Sequence, residues 1–315
     1  MKISALKIAD LIATLPIIQG GMAVRISTAK LAAAVANEKG IGVIAGTGMT
    51  PDELKNEIRL AKRLSDGIIG VNVLFAVSNF AALVKVAMME KINLVISGAG
   101  FSRDMFGWGR ESNIPIVPVV SSARLAVLAE KMGAAAVIVE GKEAGGHLGT
   151  DQPMADILPH VKRAVKIPVI AAGGIIDGYD IAKALKLGAD GVQMGTRFAA
   201  SQESNASDYF KQMYIDAVKE DVTIIQSPVG LPGQALRNAF VDLIEQVDFK
   251  DLNFCNQCLK RCNHVFCIMT ALMSACRPGQ PEKALVFCGD QVHRIKEILS
   301  AHDIIVRLKM EIAQA

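Results

Sequence analysis

The stretch Ala134–Gly149, AAAVIVEGKEAGGHLG, decides how the rest of the chain is read. Its first part, Ala135-Ala136-Val137-Ile138-Val139, is apolar and β-branched, the pattern of a strand buried on both faces. It then breaks into Glu140-Gly141-Lys142-Glu143-Ala144-Gly145-Gly146-His147-Leu148-Gly149. Four glycines in nine residues add no apolar surface and lose the most entropy on folding, so core packing does not explain them. They suit a backbone that turns sharply or approaches a flat ligand. His147 sits inside that loop, and an imidazole can carry a proton near neutral pH.

Working outward, the same strand–loop–helix unit recurs. Before the opening stretch, strands are expected at 16–19, 42–45, 68–73, 94–97 and 115–120; after it, at 168–172 and 191–194. Helices fill the intervals: one capped by Ser27 or Thr28, then 51–64, 79–90, 102–111, 122–132, 154–165 and 179–187. Crossovers of helical length imply parallel pairing. Eight such units favour a (β/α)8 TIM barrel over an open doubly wound sheet. The first loop, Gly20-Gly21-Met22, also lacks the G-x-G-x-x-G spacing of a dinucleotide fold. Pro115 and Pro118 in one strand sit awkwardly with a closed barrel, because prolines usually mark a sheet edge.

Residues 1–203 therefore read as the barrel. Residues 204–315 read as a helical, cysteine-containing C-terminal extension packed on it, with helices at 204–221, 237–247 and 292–309. The chain has 315 residues, 51% of them hydrophobic, and a net charge of only +3, so nothing points to nucleic acid. No apolar run is long enough to span a bilayer and the N-terminus has no signal-peptide pattern, so the expected location is the cytoplasm. The assembly is left open, a homodimer being one option.

The strand ends carry the chemistry, since barrel active sites lie there. Gly173-Gly174 and Gly195-Thr196 end adjacent strands, where backbone N–H groups and a hydroxyl suit a phosphate. Asn72 and Gln193 are amides placed inside apolar strands, and a buried amide needs partners. Ser97 and Ser121 are weaker candidates of the same kind.

Taken together, Gln19-Gly20-Gly21-Met22, Gly70-Val71-Asn72, Glu140-Gly141-x-Glu143-Ala144-Gly145-Gly146-His147-x-Gly149, Ala171-Ala172-Gly173-Gly174-Ile175 and Gln193-Met194-Gly195-Thr196-Arg197-Phe198 resemble the nitronate monooxygenase (2-nitropropane dioxygenase) family. That family shares its motifs with the flavin-dependent enoyl-acyl-carrier-protein reductases. The resemblance covers about residues 10–240. It implies FMN held without a covalent bond by Gly20, Gly21, Met22, Asn72, Glu140, Gly145, Gly146, Gly173, Gly174, Gln193, Gly195 and Thr196, with Gly173-Gly174 and Gly195-Thr196 at its phosphate. It also implies that His147 is the catalytic acid/base.

The leading expectation is oxidation of alkyl nitronates or nitroalkanes with O2. The alternative is NAD(P)H-dependent reduction of enoyl thioesters. A flavin- and metal-binding redox sensor without catalysis is the reading of another class. All six cysteines fall between Cys255 and Cys288. The spacing of Cys255, Cys258, Cys262 and Cys267 suggests a [4Fe–4S] cluster or zinc.

Overall fold

In the computed structural model of the chain, residues 3–246, 255, 257–277 and 283–315 are described. Eight parallel strands form a closed barrel: β3 (Ile17–Gln19), β4 (Ile41–Ala45), β5 (Ile68–Leu74), β6 (Leu94–Gly98), β7 (Ile116–Val120), β8 (Val137–Glu140), β10 (Val169–Ala172) and β11 (Gly191–Met194), the last pairing back on β3. Before them, β1 (Leu6–Ile8) and β2 (Leu11–Ala13) form an antiparallel hairpin; β9 is Gly146–His147, and β12 (Val222–Gln226) and β13 (Pro232–Leu236) come later. The open-sheet alternative is thereby excluded.

Side chains alternate along each barrel strand. Val43, Ile96, Ile138 and Ile170 point into the barrel, where they pack with Ile18, Leu94 and Val117. Their neighbours Ile44, Val95, Val137, Val139 and Val169 point outward to the helices. Both faces are dry, which explains runs of apolar β-branched residues instead of a polar/apolar alternation. The hairpin β1–β2 adds Leu6, Ile8 and Ala13 to the interior cluster and plugs the barrel at the start of β11. The sequence reading assigned no element to that segment.

Pro118 does not open the barrel. β7 pairs β6 through Ile116, Val117 and Pro118, and it pairs β8 at Val119 and Val120, beyond the proline. Pro115 lies outside the strand.

The helices are α1 (Ala29–Asn37), α2 (Pro51–Leu64), α3 (Phe80–Met89), α4 (Arg103–Ser112), α5 (Ala123–Met132), α6 (Met154–Ala164), α7 (Gly178–Lys186), α8 (Thr196–Ala199), α9 (Asp208–Asp216), α10 (Ala239–Gln246), α11 (Ile268–Ser274) and α12 (Ala301–Gln314). α2 starts as its sequence dictates. Thr50 Oγ1 accepts from Glu53 N, the Glu53 carboxylate accepts from Thr50 N, and Pro51 occupies the first turn. Neither Ser27 nor Thr28 caps α1 with its side chain: Thr28 makes no cap bond, Ser27 Oγ accepts from Met22 N, and the Glu57 carboxylate accepts from Ala29 N.

The extension departs from an all-helical reading. Helix α9 is shorter than the 204–221 expected: Ser207 caps it, and Asn205 N is bonded to Ile26 O. Residues 222–236 form the hairpin β12–β13. The helix expected from 292 begins at Ala301 with Ser300 as its cap, because Leu299 pairs with Ser201 and Glu297 O accepts from Arg197. The helix expected to end at Val247 reaches Gln246, and Val247 lies outside the described residues. Helix α12 packs on α7 and α1 and so completes the ring of helices around the barrel. No helix among the described residues is long and apolar enough to cross a membrane.

Candidate active site

One pocket opens at the C-terminal ends of the barrel strands. Gly20, Gly21, Met22, Asn72, Glu140, Gly145, Gly146, His147, Gly173, Gly174, Gln193, Gly195 and Thr196 all line it. The structure therefore brings together every residue picked from the sequence for catalysis or cofactor binding. Ser97 and Ser121 are not among the lining residues; Ser97 Oγ donates to Gly100 O and ties its own loop.

The barrel side of the pocket is polar and pared down. Asn72 Nδ2 donates to Gly21 O at 3.1 Å, and a Cβ on Gly21 would stand 2.3 Å from Asn72 Cβ. Only glycine lets these two segments meet. Asn72 Oδ1 and Gln193 Oε1 are both buried without a hydrogen-bond partner. A buried acceptor left alone costs about 1–3 kcal/mol, so two on one wall call for a donor that the described residues do not supply. Gly173 and Gly174 have φ of +103° and +70°, which turn the chain back beneath Ala144 and Glu143. Thr196 Oγ1 accepts from Gly289 N at 2.9 Å, and its own hydroxyl proton stays free to donate.

Electrostatics separate two of the titratable groups on the wall, Glu140 and His147. Burial pushes the Glu140 carboxyl up from 4.5 to about 7. Burial likewise pushes the His147 imidazole down from 6.5 to about 4, so it is neutral at pH 7.

His147 is held by groups that the sequence reading missed. Its loop forms the two-residue strand β9, which pairs antiparallel with β13 through Gly146–Gln234 and His147–Gly233. Leu148 N donates to Pro232 O, and Gln234 Nε2 donates to Ala144 O. The hairpin thereby brings Ser227, at the end of β12, to the ring: His147 Nε2 and Ser227 Oγ are 2.7 Å apart. Phe287 packs edge-on against the imidazole with centroids 5.2 Å apart. Tyr214, fully buried on the pocket wall, donates to Phe287 O and fixes that segment.

The opposite wall is apolar and comes from the extension: Leu259, Ile268, Met269, Leu272 and Ala275 line it together with Val24, Ile26 and Val77. Its chain is docked on the loop after β5. Lys260 N donates to Ala76 O, Ser78 N donates to Cys258 O, and Lys260 Nζ lies 3.6 Å from the Phe75 ring centre.

The cysteines on this segment are free. Gln257 N donates to Cys255 Sγ, His264 N to Cys262 Sγ, and Thr270 Oγ1 to Cys267 Sγ. Among the described residues no group of three or more His, Cys, Asp or Glu side chains is gathered so as to hold a metal ion.

A family profile for nitronate monooxygenase matches residues 6–81 and 75–311. Among curated proteins, the chain is 34% identical over 232 residues to the (3aS,4S,5R,7aS)-5-hydroxy-7a-methyl-1-oxo-octahydro-1H-indene-4-carboxyl-CoA dehydrogenase of Rhodococcus jostii. That match covers 73% of this chain but spans only 65% of the relative's own length. A probable nitronate monooxygenase of Staphylococcus aureus is 31% identical, with 74% of this chain and 78% of the relative covered. Among solved structures, FabK from Thermotoga maritima superposes with a TM-score of 0.87 at 35% identity, covering 95% of this chain and 93% of the other. Nitroalkane oxidase from Streptomyces ansochromogenes gives a TM-score of 0.83 at 26% identity, with 96% of each chain covered. With the strand-end glycines, the buried amides and the Gly-Gly-His loop gathered on one pocket, the matching profile and these likenesses show that the chain belongs to the nitronate monooxygenase family.

Proposed function

We propose that FMN binds the glycine-lined wall and that His147 meets an acyl thioester over it, the reaction being reduction of an enoyl thioester with NAD(P)H as electron source. The observation that carries the cofactor is the pair of orphaned acceptors, Asn72 Oδ1 and Gln193 Oε1, on a wall otherwise stripped to backbone. A flavin ring offers N–H donors to such acceptors. Gly173-Gly174 and Gly195-Thr196 would take the phosphate, and Gly20, Gly21, Met22, Glu140, Gly145 and Gly146 would border the ring. When bound, FMN supplies the hydride-transfer chemistry that no side chain offers.

The substrate class rests on the other wall. Leu259, Ile268, Met269 and Leu272 make an apolar surface of four adjoining side chains that suits an acyl chain. The likenesses to a carboxyl-CoA dehydrogenase and to FabK support a thioester. This reverses the order set by the sequence, in which nitronate oxidation came first. In either chemistry the neutral His147 ring, boxed in by Ser227 and Phe287, orients the reacting group and holds or moves a proton at it. Glu140 would stand beneath as a carboxyl that is partly protonated at neutral pH.

Nitronate oxidation with O2 is the second reading, supported by the family profile and by the likeness to nitroalkane oxidase. Burial, with Cys267, Cys262 and Cys255 nearby, pushes the Cys258 thiol up, but no step is assigned to Cys255, Cys258, Cys262 or Cys267.

The test is a pair of assays on the yellow protein, one under anaerobic conditions with enoyl thioester and one in air-saturated buffer with nitronate. NAD(P)H oxidation that requires a medium-chain enoyl thioester supports the first reading. Oxygen uptake with propyl nitronate and no NAD(P)H, without thioester turnover, would replace it with the second.

A further inference from the structure

His147 is the one titratable group that projects into the pocket from the extension-bound strand β9, and it has two ring nitrogens with different surroundings. Nε2 lies 2.7 Å from Ser227 Oγ. Among the described residues Nδ1 has no hydrogen-bond partner, and it is not one of the fully buried atoms left without one, so it is the ring nitrogen left for the cavity that His147 lines.

The surroundings of Ser227 decide which nitrogen carries the proton. The residue is 1% exposed, so bulk solvent does not reach its hydroxyl. Its oxygen already accepts from Val229 N at 3.3 Å. Its backbone is pinned on three sides: Ser227 N donates to Leu231 O, Gly230 N donates to Ser227 O, and Asn263 Nδ2 donates to Ser227 O at 3.5 Å. The hydroxyl proton therefore needs an acceptor, and the one within reach is the Nε2 lone pair. Were Nε2 protonated instead, Ser227 Oγ would face two N–H donors and its own proton would be buried with nowhere to go.

We propose that Ser227 is a positioning residue that holds His147 as the Nδ1–H tautomer, so that the ring offers the substrate a hydrogen-bond donor rather than a free base. The hydrogen bond at one imidazole nitrogen sets the state of the other. The role in turnover rests on the reading of the site given above; the tautomer does not. A neutral Nδ1–H suits a thioester carbonyl oxygen or an anionic nitronate oxygen. It does not suit removal of a C–H proton from a neutral nitroalkane, which needs the lone pair on the nitrogen facing the substrate. The chain is therefore built to take a carbonyl or a preformed nitronate and to be poor on the nitroalkane itself. Neutral at pH 7, the ring keeps this arrangement without becoming a cation.

The test is ¹⁵N NMR of the protein as purified, labelled at its five histidines, with His147→Gln identifying the His147 signals. The expected spectrum at pH 7 shows Nδ1 protonated and Nε2 bare. Ser227→Ala should move the ring toward the Nε2–H form and lower kcat/KM on the thioester about tenfold or more, while Ser227→Thr keeps the hydroxyl and most of the activity. A wild-type Nε2–H ring, or a Ser227→Ala ring with unchanged tautomer, overturns the proposal. If Ser227→Ala does not fold, Ser227→Gly removes the same hydroxyl and is read the same way. A protein inert toward thioesters and nitronates alike, yet showing Nδ1–H lost on removing the hydroxyl, would sink the proposed function and leave the Ser227 assignment standing.

Discussion

On the barrel side of the pocket, the lining comes from the ends of β3, β5, β8, β10 and β11, each set by the register of a closed parallel ladder. On the far side it comes from residues that follow the eighth strand: the β12–β13 hairpin, Leu259 to Ala275, and Phe287. The first wall is glycine and amide, fixed by main chain. The second is apolar side chain and hydroxyl, fixed by long-range docking. On the function proposed above, the first wall takes the cofactor and the second the substrate, so changes to the two should have separable effects.

His147 stands where the walls meet, and its loss should be felt most. His147→Gln is expected to cut kcat by roughly 10²–10⁴-fold on the true substrate while the protein stays yellow; steady-state kinetics beside the flavin spectrum checks both halves. A variant that loses the flavin as well would merge the two walls into one unit.

Gly21→Ala attacks the barrel wall alone. The new Cβ would press on Asn72 Cβ, an overpacking of about 1–3 kcal/mol, so FMN affinity should fall roughly five- to 150-fold. Titration of FMN into the stripped protein measures it.

Glu140 and His147 make opposite contributions to the pH dependence of the FMN-free fold. The Glu140 pKa is raised by folding, so the folded state holds the extra proton and stability falls as pH rises from about 4.5 to about 7. The His147 pKa is lowered, so the unfolded state binds the extra proton and stability rises as pH climbs from about 4 to about 6.5. Over most of that window the two slopes oppose each other. Glu140→Gln should expose a stability that rises with pH, and His147→Gln one that falls, each by on the order of 1–3 kcal/mol across the window in denaturant titrations. Two parallel curves would mean that the two groups do not share one desolvated wall.

The smallest effect belongs to the apolar wall. Leu272→Ala should raise KM for a long-chain enoyl thioester by about tenfold or less, with little change for a short-chain one and none in FMN content. Equal losses for both chain lengths would argue against an acyl-binding role.

The same division explains what could be read from the chain in advance. The strands and their glycines were legible because each is local: apolar β-branched runs such as Val137–Val139 bury both faces, and the breakers follow at once. Asn72 and Gln193 stood out as amides where only apolar residues belong. Ser227 and Phe287 carried no such signal. Each reaches His147 through pairing across 80 residues or more, by way of a two-residue strand too short to show any period. The closing helix was placed too early, because Val292-His293-Arg294-Ile295 has helix-compatible spacing. The chain instead spends Ile295–Leu299 as a strap across Arg197 and Ser201.

Helix α12, which closes the ring between α7 and α1, has a consequence for how the protein is made. All eight barrel strands have left the ribosome once Met194 emerges, yet the flank shared by α7 and α1 stays uncovered until the residues of α12 follow. During that interval the nascent chain shows an apolar seam that Ile304, Ile305, Leu308 and Ile312 will later seal. The ring of helices is thus closed only after the last barrel strand has been made, and until then the seam is an exposed apolar surface of the kind that invites misassembly.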